Sequence, residues 1–285
     1  MRYTIVAAMN LLVIEAGKSE RAYWSDLWRY RELLFFLSWR DILVRYKQTV
    51  IGVLWAVIRP LLTTIVFTFV FKKVAGLPSG GLPYPVMVFA GMLPWQFFSS
   101  SLSEASNSLI ANAGMLGKIY FPRLIVPASA VIVTFVDFLI SCVIMVGFMA
   151  WYDVVPDCKL IALPLFTLLA LFASLGASLW LAALNVKYRD VRYVIPFVVQ
   201  FGLYITPVGF NSEVIRQKFG PMAYDLYCLN PMVGVINGFR WAIGGGAGVS
   251  MDWNSVLLSV LVVAAITISG LSYFRATEET FADII

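Results

Sequence analysis

Histidine is absent from this chain of 285 residues. That removes the commonest metal ligand and the side chain best suited to general base chemistry near neutral pH. Cysteine occurs three times, as Cys142, Cys158 and Cys228, at spacings that match no metal-binding pattern. Cys158 and Cys228 fall in connections that could hold a disulfide or two free thiols; free thiols are the expectation. Charged residues are also scarce, at 13%, about half the ~25% of an ordinary soluble domain. No glycine-rich loop ending in Gly-Lys-Ser/Thr occurs, so no phosphate-cradling loop of that kind is present. No nucleophile and base can be paired, and no catalytic residue or metal ligand is assigned. The net charge of +5 is scattered in short clusters, which does not suggest nucleic acid.

What remains is apolar. Hydrophobic residues make up 60% of the chain and the mean hydropathy is +0.83. A helix needs about 20 mostly apolar residues to cross a bilayer, and six such segments fit: about 50–74, 85–110, 124–151, 160–184, 193–210 and 256–274. The stretch Arg40–Leu62 sets the direction, because a collar with Arg40, Asp41, Arg45 and Lys47 runs into an apolar segment. Lys and Arg resist translocation, so the collar stays in the cytoplasm. With both termini inside, fourteen Lys and Arg lie in cytoplasmic segments and six outside. The reverse orientation would oppose the bias. Thr4–Ile14 is broken by Asn10 and followed by Glu15, and without a small-x-small cleavage site it reads as a cytoplasmic lead-in.

Ser25 is a candidate N-cap for a helix over about Asp26–Tyr46. Its apolar centre, Leu33–Leu37, is too short to span, and Trp24, Trp28 and Trp39 suit the lipid headgroup depth. The expectation is a helix lying in the interface plane. The run Pro231–Ile243 is also too short to cross, and reads as re-entrant or interfacial.

Polar residues inside apolar runs are the candidate functional ones, because such groups are costly in a bilayer. The second segment carries Trp95, Gln96, Phe97, Phe98, three serines and Glu104 after Pro94, so that half should face protein or water. Arg59 and Asp137 lie roughly 13 and 20 Å from the inner end of their segments. They are candidates to pair, with Glu104 as a rival partner; alternatively Arg59 snorkels to lipid phosphates. Trp55, Arg59, Trp95, Phe97 and Phe98 form a candidate substrate conduit, since aromatic rings meet the C–H faces of sugars without fixed hydrogen bonds. Packing and interface belts are the ordinary use of the same residues.

Four blocks carry a family resemblance: RDILVRYKQTVIGVLWAVIRPLL, FAGMLPWQFFSSSLSEASNSLIANAGMLGKIYFPRLIVPAS, LNVKYRDVRYVIPFVVQFGLYITPVGF and LNPMVGVINGFRWAI. Together they resemble the membrane subunit of bacterial type-2 ABC polysaccharide exporters, the group that moves O-antigen, capsule and teichoic acid. The resemblance implies an all-α, polytopic protein with six transmembrane helices, an N-terminal cytoplasmic interface helix and re-entrant periplasmic helices between spans five and six. Residues 1–49 would be lead-in and interface helix, and 50–285 the permease domain. It further implies a bacterial inner-membrane location, a second copy of the chain, and two copies of a separate ATPase that binds ATP and Mg²⁺. The cargo would be a lipid-linked polysaccharide, most simply of O-antigen type. The coupling element facing the ATPase would fall at about Ala111–Pro122, with Leu116, Lys118, Ile119 and Tyr120. A drug exporter of the same superfamily and a membrane glycosyltransferase are the competing readings. The latter would need an acidic metal-binding pair in a cytoplasmic loop, and none is found.

Overall fold

The computed structural model describes residues 20–47, 52–188, 190–244, 249–278 and 280–281, with the side chains of 20–22 and 52–56 outside that description. The lead-in and the indole of Trp55 therefore lie outside the described residues. Every regular element among those described is helical.

The N-terminal helix comes in two pieces, α1 (Glu20–Arg29) and α2 (Arg31–Lys47). Backbone bonds from Tyr30 to Asp26 and from Leu34 to Tyr30 bridge the join, so the break is a bend. Then come α3 (Gly52–Phe67), which widens into a π-helical segment (Thr68–Val74), α4 (Tyr84–Ala111) and the one-turn α5 (Ala113–Leu116). α6 (Ile125–Trp151) follows, then a 3₁₀ turn (Cys158–Ala162) leading into α7 (Leu163–Lys187), α8 (Val191–Ile205), the short α9 (Glu213–Phe219) and α10 (Pro221–Tyr227), α11 (Pro231–Ile243) and α12 (Trp253–Glu278). Among the described residues, three helices are long and apolar enough to cross a membrane: α6, α7 with its 3₁₀ turn, and α12; α8 is a shorter apolar helix.

α4 is the hub. It packs against α6, α7, α11, α3 and α8, and its first half, Val86–Trp95, is buried throughout. Pro94 is tolerated inside this helix because neighbouring helices enclose it, as protein-buried prolines in membrane helices can be. α7 and α12 cross where both lack a side chain. A Cβ at Gly176 would sit 2.6 Å from Thr267 Cα, and one at Gly270 would sit 2.3 Å from the Gly176 carbonyl oxygen. Small residues of this kind let helix backbones approach closely in membranes.

α2 packs closely on the bundle. Leu37 and Ser38 are buried, and Leu37 shares a core with Leu109, Leu116, Phe121 and Ile125. The helix packs along α6, so that its last turn reaches residues far inside the bundle. Phe35, Phe36 and Trp39 stay exposed, at 70%, 63% and 52%. The all-round apolarity of Leu33–Leu37 thus serves two surfaces, protein on one side and lipid-suited on the other. α11 is likewise enclosed, by α4, α7 and α12, with Met232, Val233, Val235, Ile236 and Phe239 wholly buried. All three cysteines are free, Cys158 exposed and Cys228 buried.

Candidate functional site

The polar half of α4 faces a cleft of about 270 Å³ between α2, α3, α4 and α6. Gln96, Ser100 and Glu104 recur at four-residue spacing and so share one helix face. Opposite them stand Thr134, Asp137 and Ser141 of α6; Arg59 and Pro60 come from α3, and Arg45 and Tyr46 from the end of α2. Hydroxyls near the cleft bond locally: Ser101 to Thr134 at 2.7 Å, and Ser141 to the Asp137 carbonyl at 3.0 Å.

Arg45 is the centre of the cluster. One guanidinium nitrogen donates to Asp137 at 2.5 Å and the other to Glu104. The Tyr46 hydroxyl donates to the second Asp137 oxygen. Asp137 lies roughly 18 Å along α6 from its first residue, so α2 carries a cation deep into the bundle. A carboxylate there needs a paired cation, because desolvation otherwise outweighs any gain. Two carboxylates and two guanidiniums line the cleft, and their formal charges cancel.

Sequence reasoning placed Arg59, Glu104 and Asp137 together, and all three line this cleft. The ion pair that forms is with Arg45, which had been assigned to the cytoplasmic collar. The signal was available: two acids inside the bundle need a cation, and Arg45 is the last arginine before the first apolar run. Phe97 lines the cleft but packs into an aromatic cluster, its ring 5.7 Å from Phe135 and 5.5 Å from Phe138. Trp95 and Phe98 pair with each other at 5.8 Å. The Trp95 indole lies against α8, where a Cβ on Gly202 would meet it at 2.6 Å. Of the conduit candidates, Arg59 and Phe97 line this cleft and Trp95 and Phe98 do not; the Trp55 side chain lies outside the described residues.

The segment after α4 divides by exposure. Past the end of α4, helix within the expected coupling element is limited to α5. Leu116 and Phe121 are buried, whereas Ile119 and Tyr120 are 60% and 56% exposed, and Lys118 is exposed. Leu116 is an anchor, and Lys118–Tyr120 form a free edge. Glu278 fixes the far end of the segment, its carboxylate accepting from the Arg123 backbone N–H at 2.6 Å and from the Tyr23 hydroxyl at 2.9 Å. The Arg275 guanidinium stacks over the Tyr23 ring at 4.7 Å. Burial, with the Glu278 carboxylate alongside, holds the Tyr23 hydroxyl far above the ordinary phenol range.

A second buried cation also escaped sequence reading, which counted it as a topology signal. Arg240 of α11 is 5% exposed. It donates to the carbonyls of Met87, Phe210 and Val208 at 3.1, 2.9 and 2.8 Å. Among the described residues no carboxylate comes within ion-pair distance of it. It fastens α11 to α4 and to the chain just past α8. Among the described residues no group of three or more Cys, Asp or Glu side chains could hold a metal ion.

An assembly of polar cleft, short exposed edge and packed apolar helices suits a transport subunit. The profile of the ABC-2 type transporter family matches residues 32–243. The chain belongs to the ABC-2 type transporter family. It is 29% identical over 255 residues to an O-antigen export system permease protein RfbA of Klebsiella pneumoniae, covering 89% of this chain and 95% of that protein. A protein of the same name from Myxococcus xanthus is 27% identical over 262 residues, 91% of this chain and 98% of the relative. The polysialic acid transport protein KpsM of Escherichia coli is 23% identical over 244 residues, 84% and 91% of the two chains.

Proposed function

We propose that this chain is the permease subunit of an ATP-driven exporter that moves lipid-linked polysaccharide of the O-antigen type across the bacterial inner membrane. Similarity over nearly the full length of the O-antigen export permeases carries this reading. Capsule export is the second reading, supported by the more distant likeness to KpsM. The working unit is a pair of these chains with two copies of a separate ATPase subunit, which binds ATP and Mg²⁺. Six crossings with both termini cytoplasmic accord with the cation bias, with α9–α11 dipping back from the periplasmic side.

In this reading, Lys118, Ile119 and Tyr120 meet the ATPase. Movement there passes through Leu116 and Phe121 to Leu37 of α2, which share one core. The end of α2 then carries Arg45 against Glu104 and Asp137, so ATPase motion alters the cleft beside Arg59. Arg59 is exposed toward the cleft, where a guanidinium suits the diphosphate of a lipid-linked glycan. Arg59→Gln should therefore lower export without lowering the amount of protein in the membrane.

The coupling edge offers the direct test. Ile119→Asp with Tyr120→Asp should leave the subunit in the membrane, because both residues are exposed, yet cut copurification of the ATPase and surface glycan at least tenfold. Normal surface glycan in that variant would remove the coupling assignment. Normal surface glycan in cells lacking the chain altogether would remove the proposed cargo.

A further inference from the structure

The π-helical segment that ends α3 borders a slot of about 430 Å³, set between α3, the start of α4 and the end of α6. Its walls are mostly apolar, from Ile65, Phe69, Pro85 and Phe148, and Lys72 and Lys73 stand at its edge. Both lysines are exposed, and neither lies within 4 Å of a carboxylate among the described residues. Ile65 and Phe69 are 63% and 58% exposed, so the slot opens to the outside of the bundle.

Helix widening here has a chemical consequence. Thr63 and Thr64 each donate their hydroxyl to the carbonyl four residues back, at 3.0 and 2.8 Å. Thr68 begins the wider segment, where the backbone bonds run five residues back, as from Ala75 to Val70. Its hydroxyl makes no such bond: Thr68 Oγ1 is buried, without a hydrogen-bond partner, and its residue lines the slot. An orphaned buried hydroxyl is uncommon and marks a missing partner. Short π segments occur frequently at functional sites.

The geometry points to a binding site for one anionic phospholipid of the surrounding bilayer. One acyl chain lies in the apolar slot, the phosphate sits between the Lys72 and Lys73 ammonium groups, and an ester oxygen reaches the Thr68 hydroxyl. Charge selects the occupant: two adjacent unpaired ammonium groups favour a net-negative headgroup over a zwitterionic one. Placing this lipid in the outer leaflet rests on the topology proposed above; the site itself does not. A lipid wedged there would hold the end of α3 against α4 and α6.

The test uses the purified chain as extracted from membranes, with phosphatidylglycerol and phosphatidylcholine of identical acyl chains, and counts retained lipids by native mass spectrometry. Phosphatidylglycerol should be retained on the order of tenfold in preference, from about two favourable lysine contacts. Lys72→Gln with Lys73→Gln should abolish that preference; both side chains are exposed, so folding is not at stake. Thr68→Val should weaken retention of both lipids alike. Equal retention of the two lipids, or an unchanged preference in the double variant, would overturn the site. Displacement by a polyprenyl diphosphate at far lower concentration than phosphatidylglycerol would overturn the choice of phospholipid as occupant. Retention is read without transport, so this result and the identity of the cargo stand or fall separately.

Discussion

Arg240→Met should destabilise the α9–α11 region by roughly 2–5 kcal/mol, because it leaves buried carbonyl acceptors without their donor at about 1–3 kcal/mol each. Methionine nearly fills the space but donates nothing. The carbonyls of Val208 and Phe210 lie beyond the end of α8, and each accepts from the guanidinium. Leaving a buried acceptor unpaired costs about 1–3 kcal/mol. Removing the cost of burying a cation offsets part of this, which keeps the expected sum within that range. Arg240→Lys should fall between the two, since a single ammonium cannot reach carbonyls from three directions as the planar fork does. Limited proteolysis of the 211–231 segment in membranes would measure the effect. Cleavage at the wild-type rate in Arg240→Met would show that the fastening is dispensable.

Arg45→Gln is expected to have the larger effect on transport. It leaves Glu104 and Asp137 in one cleft with their shared cation gone. The three side chains keep 30–35% of their surface exposed, so the cost belongs near the lower end, about 3 kcal/mol. The consequence for transport is greater, because Arg45 is where α2 grips the helices of the bundle. Export should fall at least tenfold. Adding Glu104→Gln removes one uncompensated carboxylate and should recover protein abundance, while export stays low because the grip is not restored. Arg59→Gln leaves the grip in place and should lower export at normal abundance. Normal export by Arg45→Gln would end the proposed role of α2 in coupling.

These two residues also mark what was legible in the sequence. Long apolar runs announced α6, α7 and α12, because their apolarity alone permits a crossing. The polar face of α4 was legible too, since Gln96, Ser100 and Glu104 repeat at helical spacing. Partner choice was not. Glu104 and Asp137 signalled a need for a cation, yet Arg45 sat in a cluster that also serves topology, and the climb of α2 along α6 depends on Leu37 packing against residues seventy or more positions away. Trp95 and Phe98 illustrate the same limit. Their three-residue spacing gives a shared face, but which neighbour that face meets is decided by Gly202 on α8. Glu278 was hidden for another reason: its value lies in two hydrogen bonds to residues more than 150 positions distant.

The cargo is the centre of the account, and transport into sealed vesicles tests it most directly. Inverted membrane vesicles holding this chain and its ATPase subunit would be given O-antigen glycan on a polyprenyl diphosphate. If the glycan is the cargo, it should with ATP become protected from an added glycosidase in proportion to both subunits, and Arg45→Gln should abolish the protection. ATP-dependent uptake of small amphiphiles with no protection of the glycan would contradict it.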